Sequence, residues 1–120
     1  MVTVADVRWL AQTLPRTTEH LIRDSVRFRI KSIVYAGISP DETIMGFGFP
    51  KEERADLVAS DPEKFLMPKQ TDLRFNWVLV RMDRLEVPEM RELVTDAWAM
   101  CVPKFLRKQY FEGRGSLTLE

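Results

Sequence analysis

The sequence contains little of what metal, redox and membrane proteins need. Its 120 residues include one cysteine and one histidine, which excludes a disulfide framework and a multi-histidine metal site within one chain. No apolar run approaches the roughly 18 residues of a membrane span, and the first residues show no signal-peptide pattern. Basic and acidic side chains balance at 18 each, which excludes a strongly basic arm. We therefore expect a cytoplasmic protein with no cofactor, no metal and no membrane contact.

The composition is that of one ordinary globular domain. About 45% of the residues are apolar and 30% are charged, which is enough apolar material for a single core. We expect this domain to span residues 1–112. Residues 113–120 are expected to form a flexible tail, and the final Leu119-Glu120 resembles a vector-derived remnant.

Three segments carry helix signals. Thr3 is followed by an acid three residues later, and Pro15 ends the segment. Pro50 opens a short helix that closes near residues 60–62, and Pro88 opens the last and longest one. Pro103 is expected to kink or end that last helix.

Between the helices the period changes to two, which is typical of strands. Val26, Phe28 and Ile30 alternate with polar residues, and a hairpin is expected at Lys31-Ser32. Further strands are expected at 33–36, 43–49 and 73–82, the last one central because it is apolar on both faces, and a short strand or extended piece is expected at 65–68. The stretch 16–20 is read as a connector. The order predicts an α+β two-layer sandwich: an antiparallel sheet of about five strands with helices on one face.

The first predicted strand has a basic face. Arg27, Arg29 and Lys31 alternate with the apolar positions, and Arg23 lies just before them. Side chains two residues apart lie roughly 6.5–7 Å apart on one sheet face, near the spacing of successive phosphates along a nucleic-acid strand. The alternative is that these charges are the solvated face of a sheet, where they also discourage aggregation.

The strand at 73–82 carries two large aromatic residues of the same parity, Phe75 and Trp77. If they face away from the helices, they form a stacking platform for bases or a surface for a partner protein, with Arg74 adjacent. If they face inward they are core, and we favour the core for them because large aromatics dominate cores.

The remaining candidates favour structural roles. Gly46-Phe47-Gly48 lacks the lysine and hydroxyl residue of a phosphate loop. His20 has no nucleophile nearby in sequence, and Cys101 lies on the apolar stripe of the last helix, where it is expected to act as a small hydrophobe. A Cys–His dyad would require the two to meet in space.

The order of these segments resembles the MmcQ/YjbR family over roughly residues 4–110. The residues that carry the resemblance are Leu14-Pro15 with Glu19, the hairpin at 28–36, Phe65 with Pro68, and the run from Trp77 through Met82 to Asp83. The resemblance implies a frataxin-like fold, also called a double-wing fold. It supplies no established activity, and the family's DNA-binding description rests on analogy of fold.

A frataxin-like fold raises the question of iron, which frataxins bind on an acidic ridge along the first helix. Here that helix offers only Asp6, beside Arg8, whereas hard cations need several oxygen ligands together. We therefore expect no iron site. The function expected is that of a non-enzymatic protein that binds DNA or RNA weakly through backbone phosphates, at Arg23, Arg27, Arg29, Lys31 and Arg74. The alternative is a protein-interaction module on the same open face, using Phe75 and Trp77.

Overall fold

The computed structural model describes residues 1–119, with side chains to residue 113. Its helices are α1 (Val4–Ala11), α2 (Arg54–Ser60), α3 (Val87–Ala99) and α4 (Lys104–Leu119). Its strands are β1 (Thr17–Ile22), β2 (Ser25–Ile30), β3 (Ile33–Ile38), β4 (Ile44–Gly48), β5 (Phe65–Leu66) and β6 (Trp77–Arg81). None of the helices in this described part has the length and apolar character that a membrane span requires.

The predicted start of α1 is confirmed in detail. Thr3 Oγ1 accepts from the Asp6 amide at 3.2 Å, and the Asp6 carboxylate accepts from the Thr3 amide at 2.9 Å. This reciprocal capping box satisfies two of the amide groups that the first turn of a helix leaves unpaired. Asp6 is therefore a capping residue, as its place in the sequence suggested.

The strands form one antiparallel sheet in the order β1-β2-β3-β4-β6-β5. The predicted fold class is confirmed, with six strands where about five were expected. The additional strand is β1, which occupies most of the stretch read as a connector. It lies at the sheet edge and its residues are exposed or half-buried, so no alternating apolar pattern is required of it.

One face of the sheet carries the core. Helix α3 packs against β3 and β4, and α1 packs against α3. Trp98 on α3 is fully buried, and its Nε1 donates to the carbonyl oxygen of Pro15 at 2.9 Å. The inward-facing residues of the central strands are Phe28, Ile30, Ala36, Ile38, Met45, Phe47, Val78 and Val80. Burial of these side chains is the main force holding helices to sheet.

The last two helices divide at Pro103, where the sequence predicts an end or a kink. Helix α3 ends at Ala99, and α4 begins at Lys104 directly after Pro103, which cannot donate a backbone hydrogen bond. Helix α4 runs to Leu119 and so includes residues 113–119 of the segment that the sequence predicts as a tail. Glu120 lies outside the described residues.

Candidate nucleic-acid interface

The face of the sheet opposite the helices is open, and one row of residues crosses all six strands on it. In β-bridge register the row runs through His20, Arg27, Gly37, Gly46, Leu79 and Leu66. Two adjacent glycines stand at its centre, so the sheet presents bare backbone there. Side chains to either side become the walls of a shallow groove.

Arg27 and Arg29 lie on this open face, because their alternation partners Phe28 and Ile30 are buried beneath the helices. Both arginines are half-buried. In the described part of the chain, no carboxylate approaches either guanidinium within the 4.0 Å of a salt bridge. Their positive charges are therefore not neutralised within the protein.

Arg29 instead bonds to a neutral partner. Its Nη2 donates to His20 Nε2 at 2.8 Å across the β1–β2 pair. Because a guanidinium only donates, His20 Nε2 is the acceptor and carries no proton in this arrangement. The contact fixes the direction of Arg29 while leaving its charge available to an anion.

The hairpin predicted at Lys31-Ser32 is confirmed, and for that reason the prediction that Lys31 also continues the basic strand face of Arg27 and Arg29 is wrong. Strand β2 ends at Ile30, and Lys31 occupies the β2–β3 hairpin turn with φ 54°. Arg23 occupies the β1–β2 turn with φ 52°, followed by Asp24 with φ 65°. Two-residue hairpin turns need left-handed backbone, which matches the twist of the strands. The two exposed cations therefore lie beyond opposite ends of β2.

The core placement favoured for Trp77 is also wrong. Val78 and Val80 are the buried residues of β6, so Trp77 and Leu79 face the open side and are half-buried. The Trp77 ring fills the space above Gly46: a Cβ at Gly46 would lie 2.5 Å from its Cζ2 and 2.6 Å from its Nε1. The Trp77 indole from β6 can pack at this position because Gly46 on β4 has no side chain.

Phe75 lies outside the strand that the sequence predicts to begin at Leu73, because β6 begins only at Trp77. Its ring is 51% exposed, so the core placement is wrong here as well. The Arg74 guanidinium lies 4.7 Å from the centre of that ring, a cation–π arrangement. Arg74 and Phe75 thus project together beside Trp77, as the platform interpretation requires.

Arg54, which the sequence does not single out, anchors this segment. It is 6% exposed, and its Nη1 donates to the carbonyl oxygens of Phe75 at 3.1 Å and Trp77 at 2.9 Å. Its Nη2 donates to the Leu73 carbonyl at 2.8 Å. A rigid fork of donors holds three carbonyls at once, which a point-charge ammonium does not do. No local sequence signal marks this role, since the acceptors lie about twenty residues away.

Part of this open face forms a groove of about 970 Å³. Arg27 stands on one side, and Trp77, Leu79 and Phe75 stand on the other. Lys69, a further residue that the sequence does not single out, also lines the groove. The positive charges of Lys69 and Arg27 exceed the single negative charge of Asp72, the acidic residue in the lining. The cavity combines an excess of positive charge with aromatic surface.

The other sequence candidates do not form a reactive centre. Cys101 lines the groove, but burial raises the pKa of its thiol. Hydrogen bonds join His20 to Arg29 and Thr18, and none joins it to Cys101. Across the described residues, no group of three or more histidine, cysteine, aspartate or glutamate side chains is placed to hold a metal ion.

Fold and groove together define a class: an α+β two-layer protein whose open antiparallel sheet is free of helices on one side. The YjbR family model matches residues 12–100. The chain therefore belongs to the YjbR family, in agreement with the resemblance seen in its sequence.

Solved structures agree on the fold. Deinococcus radiodurans protein DR2400, with a DUF419 domain, is 21% identical; the match covers 91% of this chain and 88% of that one, with a TM-score of 0.76. A protein from Pseudomonas syringae is 14% identical; the match covers 84% of this chain and 100% of that one, with a TM-score of 0.65. No functionally curated protein matches this chain.

Proposed function

We propose that this protein is a non-enzymatic cytoplasmic protein that binds nucleic acid at its open sheet face, through backbone phosphates. The observation that carries the proposal is the adjacent pair Arg27 and Arg29, which lacks a carboxylate partner in the described part of the chain. Guanidinium groups that no carboxylate neutralises attract phosphates, and binding releases the counterions that the phosphates had condensed.

Other cations extend the attraction beyond this pair. Arg23 and Lys31 are exposed at the two turns that flank β2, and the exposed Arg74 guanidinium lies over the ring of Phe75, which lines the groove. Acidic side chains concentrate elsewhere, since residues 41–63 carry seven acidic and two basic groups. A neutral total charge is thus compatible with a locally positive face.

The non-enzymatic part of the proposal is supported by the groups that line the groove. Its thiol, Cys101, has a pKa raised by burial, so it is protonated and weakly nucleophilic at neutral pH. The arginine and lysine side chains there hold anions well but are poor acids and bases at that pH.

The test is fluorescence anisotropy of a labelled oligonucleotide, titrated at several concentrations between about 50 and 200 mM salt. We expect weak binding that falls steeply with salt. Arg27→Ala and Arg29→Ala should each lower the slope of log affinity against log salt by about one unit. Arg91→Ala is the matched control: this exposed arginine lies on α3, on the helical side, and its loss should leave binding unchanged. No detectable binding at the lowest salt would reject the proposal.

A protein partner on the same face is the second candidate, and exposed apolar side chains favour it. Ile33 is 53% exposed, Phe75 51% and Met100 42%, and all three line the groove. Apolar rims of this kind are typical of interaction surfaces. A partner protein that stays bound after nuclease treatment, and that is lost with Phe75→Ser, would support this candidate.

A further inference from the structure

The two sides of the groove offer different chemistry at a fixed separation. Arg27, Gly37 and Gly46 are paired in register across β2, β3 and β4. Neighbouring strands lie about 4.8 Å apart, so the backbone of Gly46 on β4 lies roughly 10 Å from that of Arg27 on β2. The Trp77 ring lies over Gly46. The space between Arg27 and the Trp77 ring is floored by glycine. A ligand that fits the groove must therefore be narrow, with negative charge on the side that faces β2 and a flat group on the side that faces β6.

The aromatic side carries two rings with unused surface. Trp77 rests over Gly46 on one side and lines the groove. Phe75 is half exposed beside it, with the Arg74 guanidinium over the ring. Stacking platforms for bases are built from such rings.

The backbone that carries the two rings is also held in place before any ligand arrives. Arg54 bonds the carbonyls of Phe75 and Trp77, and Lys51 Nζ bonds the Arg74 carbonyl at 3.3 Å. A preorganised surface avoids much of the ordering cost that binding otherwise incurs.

We propose that the groove binds single-stranded nucleic acid, with bases stacked on Trp77 and Phe75 and phosphates directed to Arg27 in the groove and to Arg29, two residues farther along β2 on the same face. In a duplex the bases are paired and stacked within the helix, so their faces cannot reach a ring seated on the sheet. A single strand exposes its bases on one side and its phosphates on the other, which matches the two sides of the groove. This inference rests on the proposed function and specifies its ligand.

The experiment compares single strands with duplexes of the same sequence, as DNA and as RNA, by anisotropy at low salt. We expect the wild-type protein to bind the single strand at least tenfold more tightly. Trp77→Ala should weaken single-strand binding by roughly tenfold or more, and Phe75→Ala by a comparable factor. Trp9→Ala is the matched control, because Trp9 is 68% exposed on α1, on the helical side, and its loss should change nothing.

Trp77→Phe separates stacking from folding, since it retains an aromatic ring of smaller size; it should recover most of the binding that Trp77→Ala loses. Equal or tighter binding of the duplex, with Trp77→Ala without effect, would overturn the single-strand inference and leave phosphate binding intact. Binding of neither strand form by the wild-type protein would reject the proposed function itself. A loss shared equally by Trp77→Ala and Trp77→Phe would also contradict stacking.

Discussion

Replacement of Arg54 by methionine should loosen the side of the groove that carries Phe75 and Trp77. The guanidinium makes three hydrogen bonds to backbone carbonyls, and bonds from a charged donor are worth about 1.5–3 kcal/mol each. Part of this loss of stability is offset, because the Arg54→Met protein no longer buries a charge that has no carboxylate partner and because water can bond the three freed carbonyls. We expect a net loss of about 2–4 kcal/mol in the free energy of unfolding.

Urea unfolding followed by circular dichroism measures this loss, and a fall of about 10 °C in Tm should accompany it. Arg54→Lys keeps the charge but not the fork, so it should lose about half as much. Lys51→Met is the control, since its ammonium is exposed and makes a single 3.3 Å bond to this segment; a change below about 1 kcal/mol is expected. If Arg54→Met unfolded within about 0.5 kcal/mol of the wild-type protein, the anchoring role would be refuted.

Two further predictions concern single positions in the sheet. Gly46→Ala would place a Cβ 2.5 Å from the Trp77 ring, so the ring should move and tryptophan emission should shift, whereas Gly37→Ala meets Arg27 Cγ at an ordinary 3.7 Å and should leave emission unchanged; identical spectra for the two variants would contradict the placement of the indole. Burial raises the pKa of Tyr35 to about 12 from its ordinary value of 10.0. The folded protein therefore keeps the Tyr35 proton in a pH range where the unfolded chain loses it, and the free energy of unfolding falls by about 1.4 kcal/mol per pH unit between pH 10 and 12. Tyr35→Phe should remove that alkaline loss in urea unfolding curves, and equal slopes in both proteins would argue against it.

The hairpin of β2 and β3 could be predicted from sequence because one face of it is buried. Burial imposes a period of two, and the period identified Phe28 and Ile30 as inward and Arg27 and Arg29 as outward. Strand β1 could not be found in this way. It lies at the edge, and neither of its faces is pressed against the core, so its sequence carries no alternation.

The groove could not be predicted from the sequence pattern within any one strand. Both faces of β6 are apolar, so alternation pairs Trp77 with Leu79 but does not say which side they face. Packing against neighbouring elements determines which face of the sheet each residue of β6 occupies. Val78 lies opposite buried Phe47, and the Trp77 indole packs over Gly46. The turn at Arg23 was hidden for a different reason, since Arg23 and Asp24 adopt left-handed backbone without glycine or asparagine.

The most direct test of the account is an NMR titration of the three tryptophan indole N–H groups with a single-stranded oligonucleotide. The indoles report three separate places: Trp9 exposed on the helical side, Trp98 buried and bonded to Pro15, and Trp77 in the groove. We predict that the Trp77 resonance shifts progressively while those of Trp9 and Trp98 stay in place. A titration in which Trp9 shifts and Trp77 does not, or in which none of the three moves at low salt, would contradict binding at the open sheet face.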